Sequence, residues 1–285
     1  MPVSVPIDEI IRIVRPDETQ ARPVILSSPH SGRDYRDELC AQTPVPVERL
    51  RRSEDAYVDT LIEDAPGAGA SLVCALFPRV FVDVNRAADE LDPGMYRDRL
   101  AGIAHPPSRR VTSGLGVIPR VAADGQTLYG RRLKADDAEA RLATYYHPYH
   151  AGLAAEIERL RASFGYAIVL DMHSMPEHSA PGVDFVLGDR FGQSCDGRIT
   201  ASIEAGLHAL GFVAVRNTPY AGGHTTEHYG RPETGVHVIQ IEISRALYLH
   251  EHRVSLRPEA EALREKLRIF INNFTSQDLD GLVSS

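Results

Sequence analysis

Polar side chains that can do chemistry follow apolar, strand-like runs at several points along the sequence. They are His30, Asn85, Arg86, Asp171, His173 and Glu242. The run YAIVL before Asp171 is apolar for one strand length, as expected for a strand that is buried on both faces. Because ligands collect at the carboxyl ends of strands in open α/β sheets, we expect these side chains to share one site.

Two histidines and a carboxylate, namely His30, His173 and Asp55, would make the ligand set of a catalytic zinc ion with its fourth position left for water. The short HExxH signal is absent, so spacing alone does not establish the site. A hydrogen bond to a backbone carbonyl is a simpler role for His173. Asp55 has an equally good local role in the first turn of a helix, with Ser53 as its cap. Glu54, beside Asp55, is an alternative acidic ligand.

Glu242 lies inside the apolar run HVIQIEIS, where a carboxylate is costly unless it forms an ion pair or coordinates a ligand. It is either a general base, with a pKa raised by burial, or the ion-pair partner of Arg245. Arg86 suits bidentate binding of a substrate carboxylate, and its alternative is a salt bridge to Asp83 or Asp89.

Three further residues are candidates for substrate binding. Arg120 belongs to the phrase GVIPR in the long loop and would assist Arg86. His224 and His228, in GGHTTEHYG, either line the pocket or form a pair four residues apart on an exposed helix.

Strand and helix patterns alternate along the chain. Strands are predicted over Arg22–Ser28, Ser71–Phe77, Arg79–Val84, Tyr166–Leu170, Val183–Leu187, Phe212–Arg216 and His237–Ile243, with a short edge strand or leader over Ile7–Val14. Helices are predicted over Pro46–Asp64, over Ala135–Phe164 with a break near Pro148, over Ser194–Leu210 and over Pro258–Phe274. This alternation predicts one α/β domain over residues 1–285, with a largely parallel sheet covered on both faces. Residues 87–135 are irregular, and a loop of that length in a compact domain is usually functional or disordered. The strand-like fragments Leu115–Val121 and Thr127–Tyr129 favour a functional loop.

Composition narrows the class of protein. The chain has 285 residues, of which 43% are hydrophobic and 25% charged, and a formal net charge of -8. That charge argues against nucleic acid or an anionic membrane as a partner. The three cysteines lack CxxC spacing, which fits a reducing compartment, and there is no signal-like or membrane-spanning run. We therefore expect a cytoplasmic protein that acts on a small molecule.

Six ordered phrases resemble the N-formylglutamate amidohydrolase (N-formylglutamate deformylase) family. They are SPHSG at 28–32, SEDAYVDTL at 53–61, VDVNRAADEL at 82–91, YYHPYHAGLAAEIERLR at 145–161, LDMHSMP at 170–176, and GGHTTEHYGRP through VIQIEIS at 222–244. The resemblance covers about residues 22–249. It implies a three-layer αβα sandwich with a mixed sheet, similar to zinc carboxypeptidases and aspartoacylase. It also implies zinc-dependent hydrolysis of N-formyl-L-glutamate to formate and glutamate, late in histidine breakdown.

The resemblance also implies roles for individual residues. His30, Asp55 and His173 would hold Zn²⁺ or another divalent metal. Asn85 and Arg86 would bind the substrate carboxylate, and Glu242 would be the general base.

The phrase GGHTTEHYG departs from the family pattern GGYITRHYG. His224 replaces an aromatic residue and Glu227 replaces an arginine, while Ser53 replaces an aspartate in another phrase. The charge reversal at Glu227 leaves open a different N-acyl amino acid or small amide as the substrate. A non-catalytic binder on the same fold is a further alternative. An oligomer is compatible with the sequence.

Overall fold

The structure, a computed structural model, describes residues 5–100 and 107–283 and is built around a seven-stranded β-sheet. The strands are β1 (Ile11–Val14), β2 (Val24–Ser28), β3 (Ser71–Ala75), β4 (Ala167–Met175), β5 (Phe185–Gly188), β6 (Ala214–Arg216) and β7 (Val236–Ser244). Their order across the sheet is β1–β3–β2–β4–β7–β5–β6. The β1–β3 and β5–β7 pairs are antiparallel and the other pairs are parallel. The predicted mixed, largely parallel sheet is therefore confirmed. A small ribbon is formed by β8 (Leu249–His250) and β9 (Ser255–Leu256).

Helices surround the sheet. They are α1 (Asp37–Cys40), α2 (Val47–Leu50), α3 (Val58–Leu61), α4 (Arg109–Thr112), α5 (Ala135–Arg141), α6 (His147–Phe164), α7 (Gly197–Ala209), α8 (His224–Tyr229), α9 (Ala260–Thr275) and α10 (Asp280–Val283). A π-helical turn, Leu142–Tyr146, joins α5 to α6, so the predicted break falls just before Pro148. Within the described residues, no helix combines the length and the apolar character needed to cross a bilayer.

The central strands are buried on both faces because their side chains alternate between two apolar clusters. In β4, Ile168 and Leu170 belong to a cluster shared with α7 and α9. Ala167 and Val169, on the opposite face, belong to a cluster shared with α6 and the long loop. The strand residues between Val24 and Leu26 and between Val236 and Ile243 alternate in the same way. This arrangement explains why the central strands read as continuous apolar runs.

Three predicted elements differ in the structure. The strand predicted to end at Leu170 continues to Met175, so Asp171 and His173 project from the strand itself. The strand predicted over Arg79–Val84 is a buried turn and loop, because Phe81 N bonds back to Pro78 O at 2.9 Å. The helix predicted over Pro46–Asp64 is broken into α2, a 3-10 turn (Arg51–Ser53) and α3, because Tyr57 adopts a left-handed backbone conformation with φ 64°.

The long irregular segment over residues 87–135 contains α4, a 3-10 turn (Pro93–Met95) and isolated β-bridges, including Val121 with Thr127. Residues 101–106 of that segment lie outside the described residues. Val117, Ile118 and Leu128 are buried in the same apolar cluster as Ala167 and Val169 of β4. The described part of the segment therefore packs against the sheet.

Candidate metal centre and active-site cavity

One face of the sheet carries a row of polar side chains at its carboxyl edge. Parallel register places Ser27 beside Asp171, Asp171 beside Gln240, and His173 beside Glu242. All five side chains point to the face of the sheet that packs against the long loop, because every second side chain along a strand points to the same face. Ser27 Oγ donates to Asp171 Oδ1 at 2.5 Å. The polar ends of three neighbouring strands thus form one surface.

Loops bring the remaining groups to this surface. His30 follows β2, and its carbonyl accepts a hydrogen bond from Asp55 N at 3.0 Å. Ser31 Oγ donates to the Asp55 carbonyl at 3.1 Å. Two residues after Asp55, Tyr57 adopts the left-handed conformation, which is costly for a non-glycine residue and tends to occur near functional sites. The break in the predicted helix therefore serves to present Asp55 to the sheet.

The donor atoms of His30, Asp55 and His173 all lie within 4.8 Å of one another, and all three residues are buried. Asp55 Oδ2 is 3.3 Å from His30 Nδ1 and 3.0 Å from His173 Nδ1. The alternative ligand Glu54 points elsewhere, since its carboxylate accepts from Tyr35 Oη and Arg51. The structure therefore brings together the three side chains named as metal ligands from the sequence, with Asp55 as the acidic member.

The second nitrogen of each histidine faces a carboxylate. His30 Nε2 lies 2.8 Å from Asp83 Oδ1, and His173 Nε2 lies 3.0 Å from Asp171 Oδ2. Each of these carboxylates orients its imidazole so that Nδ1 faces Asp55 Oδ2, where a neutral histidine directs a lone pair and a protonated one directs an N–H. The approach of Nδ1 to a carboxylate oxygen thus requires positive charge at this point, supplied by an imidazolium proton or by a metal ion. This carboxylate–histidine arrangement is the one that orients metal ligands in proteins, so the residues fit a divalent ion.

The electrostatics of the cluster favour the same state. Burial raises the pKa of Asp55, but hydrogen bonds from His173 and His30 outweigh it and hold that pKa well below the usual range. The pKa of Asp83 is likewise held low against burial, chiefly by the charge of Arg79. Burial lowers the pKa of His173, whereas the neighbouring Asp171 raises it well above the usual value. Positive charge at this position is therefore stabilised by ionised carboxylates.

Glu242 lies next to the cluster and lines a cavity of about 530 Å³. It is buried, and burial raises the pKa of its carboxyl group. Oε1 accepts from Gln240 Nε2 at 2.7 Å. Arg245, the alternative partner, instead bonds Asp55 Oδ1 at 3.1 Å and the Glu54 carbonyl at 2.7 Å. The structure does not contain the Glu242–Arg245 ion pair that the sequence left open.

Arg86 also lines the cavity, and it has no ion pair within residues 5–100 and 107–283. Its guanidinium donates to two backbone carbonyls, Leu115 O at 3.0 Å and Asn85 O at 2.7 Å. Burial lowers the pKa of Arg86. The salt bridges to Asp83 or Asp89 that were the alternative role are not formed. Asn85 is part of the cavity wall, and its Oδ1 accepts from Thr225 N at 2.9 Å.

The backbone that carries Asn85 and Arg86 is held from behind by α6. Tyr146 Oη donates to the Arg86 carbonyl at 2.9 Å. His150 Nε2 lies 3.0 Å from the Val84 carbonyl, and its Nδ1 lies 2.8 Å from Tyr229 Oη. Burial, helped by the charge of His224, lowers the pKa of His150 to about 3, so His150 is neutral and donates through Nε2.

Three of the residues named as substrate-binding are not among those that line the cavity. Arg120 pairs with Asp92 at 3.0 Å and donates to the Thr112 carbonyl. His224 and His228 stack on each other along α8 with ring centroids 5.0 Å apart. His224 contacts Tyr146 Oη, and His228 is exposed, which matches the helix-pair alternative. Their role in binding stays a prediction.

Sequence reasoning missed Arg79. This residue lines the cavity, pairs with Asp83 Oδ2 at 2.8 Å and lies 3.8 Å from Asp55 Oδ1. Arg79 was counted as part of a predicted strand, although the proline directly before it, Pro78, indicates a turn. Arg110 and Ser113 of the long loop also reach the cavity and were not singled out.

Comparison with known proteins gives consistent results. The family model for N-formylglutamate amidohydrolase matches residues 22–249. N-formylglutamate deformylase from Pseudomonas aeruginosa is 35% identical over 86% of this chain and 90% of its own length. The Pseudomonas putida protein of the same name is 32% identical over 80% of this chain and 82% of its own length. The crystal structure of N-formylglutamate amidohydrolase from Ralstonia eutropha JMP134 superposes with a TM-score of 0.90 at 32% identity, covering 96% and 99% of the two chains.

Proposed function

The chain belongs to the N-formylglutamate amidohydrolase family, and from this membership we propose that it hydrolyses N-formyl-L-glutamate to formate and L-glutamate with a divalent metal, namely zinc. The observation that carries the proposal is the convergence of His30, Asp55 and His173 beside Glu242 in one cavity. Two nitrogens and one carboxylate oxygen, each histidine backed by a second carboxylate, are the donor set of hydrolytic zinc sites. We also place the reaction in the cytoplasm, late in histidine breakdown.

A divalent ion held by these three residues would polarise the formyl carbonyl and lower the pKa of the attacking water. Glu242 takes the proton of that water and delivers it to the leaving nitrogen. Its raised pKa suits this task, because a carboxyl group with a pKa closer to the working pH can both accept a proton and release it. The bond from Gln240 Nε2 keeps the carboxylate in one orientation.

Arg79 faces the position where negative charge develops on the carbonyl oxygen. Its pairing with Asp83 fixes the guanidinium next to Asp55 before substrate arrives. A preorganised cation in a buried site stabilises the oxyanion more than water would. Arg86, with no carboxylate partner in the described chain, binds the α-carboxylate of the substrate.

Glu227, the residue that raised doubt about an acidic substrate, pairs with Arg190 at 3.0 Å and does not line the cavity. Its charge reversal therefore changes the surface of α8 rather than the cavity wall. This placement supports an acidic N-formyl amino acid over the alternative substrates.

The test is metal analysis and formate release on the same purified protein. We expect close to one equivalent of divalent metal and loss of activity on chelation, with recovery on adding Zn²⁺. N-formyl-L-glutamate should be hydrolysed faster than N-formyl derivatives of neutral or basic amino acids. Less than about a tenth of an equivalent of metal, with no gain on adding zinc, would refute metal dependence. Tight ligand binding without hydrolysis of any N-formyl amino acid would favour the non-catalytic binder.

A further inference from the structure

Among the residues that the structure describes, two of the four arginines that line the cavity lack an anionic partner. Arg79 and Arg245 also line this cavity, but each is paired with a carboxylate, Asp83 and Asp55 respectively. In the described part of the chain, the guanidinium of Arg86 bonds only backbone carbonyls. The guanidinium of Arg110 makes no hydrogen bond or ion pair with any residue in the described ranges 5–100 and 107–283.

The two unpaired guanidinium groups lie near each other. Burial lowers the pKa of Arg86 and outweighs the charge of Asp83, which raises it, and the charges of Arg79 and Arg110 lower it further. Like charges that line one cavity repel each other, and a bound anion reduces that repulsion. Their common cavity therefore suits a ligand that carries more than one negative charge.

Arg110 is held in place by the packing of its short helix α4. Ser108 Oγ accepts from Val111 N at 3.2 Å and donates to Glu90 Oε1 at 2.8 Å. The buried Val111 anchors one side of the helix. Arg120 donates to the Thr112 carbonyl at 3.1 Å while it pairs with Asp92. Arg120 thus helps to position the helix that carries Arg110, and the substrate contact predicted for Arg120 stays a prediction.

We propose that Arg110 binds the side-chain carboxylate of an acidic N-formyl amino acid while Arg86 binds its α-carboxylate; this inference rests on the proposed function. Arg86 is the nearer of the two to the metal cluster, because its charge acts on Asp83, the carboxylate that faces His30 Nε2. The α-carboxylate is attached to the same carbon as the scissile amide nitrogen. The side-chain carboxylate of glutamate lies two carbons further away, towards the loop that carries Arg110.

The test compares kcat/KM for N-formyl-L-glutamate and for N-formyl-L-glutamine, which has the same shape without the second charge. Arg110→Ala should lose about 10- to 100-fold on the glutamate substrate, as expected for a charge-assisted hydrogen bond. Its rate on the glutamine substrate should stay within about threefold of the wild-type rate. Arg86→Ala should lose activity on both substrates. Arg109→Ala is the matched control, because Arg109 is exposed on the same helix and does not line the cavity.

An equal loss on both substrates in Arg110→Ala, or no loss on either, would overturn the inference. Calorimetric binding of L-glutamate and L-glutamine to the zinc-loaded protein separates this outcome from failure of the proposed function. If no N-formyl substrate is hydrolysed, yet Arg110→Ala weakens L-glutamate binding and leaves L-glutamine binding unchanged, the role of Arg110 stands and the reaction does not. If N-formyl substrates are hydrolysed without preference for the acidic one, the reaction stands and the role of Arg110 does not.

Discussion

Glu242→Gln is the sharpest test of the proposed chemistry. The substitution keeps the volume of the side chain and an oxygen that can accept from Gln240 Nε2, now 2.7 Å from Oε1. It removes the negative charge and, with it, the ability to take a proton. Loss of a general base costs about 100- to 10,000-fold in turnover, and the lower limit corresponds to about 2.7 kcal/mol in the activation barrier.

The effect on stability should be small. Arg245 pairs with Asp55 and not with Glu242, so the substitution leaves no guanidinium without its partner. A broken buried ion pair would instead cost about 3–5 kcal/mol. Because the wild-type carboxylate is buried and its pKa is raised, replacing it with a neutral amide removes a desolvation cost. We expect the free energy of unfolding to change by less than about 1 kcal/mol.

The assay measures formate release, metal content and urea unfolding on one preparation of each variant. Glu54→Gln is the matched control, because Glu54 is a buried glutamate next to Asp55 that bonds Tyr35 and Arg51 and does not line the cavity. That control should lose stability and keep its metal and its turnover. A Glu242→Gln protein that is folded, metal-loaded and more than a tenth as active as the wild type would refute the general-base role.

Three further variants test other parts of the site. His173→Ala should reduce bound metal below about a tenth of an equivalent and abolish turnover, because it deletes one of three ligands; full metal occupancy would mean that the ligand set is different. Arg86→Ala should weaken substrate binding and turnover while metal content stays near the wild-type value, and loss of metal with unchanged affinity would make Arg86 structural. His150→Gln tests a buried neutral histidine whose pKa is lowered to about 3, against about 6.5 in the unfolded chain. Between these values the unfolded state binds the extra proton, so wild-type stability falls as pH drops below 6.5. Urea unfolding at pH 7 and pH 5.5 measures how steeply the free energy of unfolding depends on pH. In the variant this slope should be smaller by up to about 1.4 kcal/mol per pH unit, and a slope equal to that of the wild type would contradict the prediction.

The sheet was predictable from the sequence because its central strands are buried on both faces. Continuous apolar runs such as those around Val169 and Ile239 have few other interpretations at strand length. The terminal helix was predictable for a related reason, since its apolar positions recur with helical spacing over Ala260–Thr275.

The segments whose secondary structure was predicted wrongly are those that bend next to the cavity. Arg79–Val84 has the β-branched composition of a strand, but it forms a turn that places Arg79 and Asp83 beside the metal cluster. The left-handed Tyr57 interrupts a good helical pattern in order to present Asp55. Local propensity describes the average behaviour of a segment, and functional sites are where tertiary contacts override it.

The site itself is made of contacts that local patterns do not contain. Asp83 is 53 residues from His30, and Asp55 is 118 residues from His173. Residue chemistry and the rule that ligands collect at strand ends were enough to name the three converging side chains. They did not indicate which way Arg120, His224 and His228 point, because an exposed loop or helix gives no periodic signal of the direction it faces, and the role of these three residues in binding stays a prediction.

Charge balance links the metal to the substrate. Four buried carboxylates border the cluster, and they are Asp55, Asp83, Asp171 and Glu242. Arg79 and Arg245 pair with two of them, and a divalent cation would offset the charge of the other two. Arg86 and Arg110 line the same cavity, and neither forms an ion pair within the described residues. A substrate with two carboxylates would match both arginines and one with a single carboxylate would not, so the proposed preference for an acidic N-formyl amino acid rests on the same electrostatics that would hold the metal.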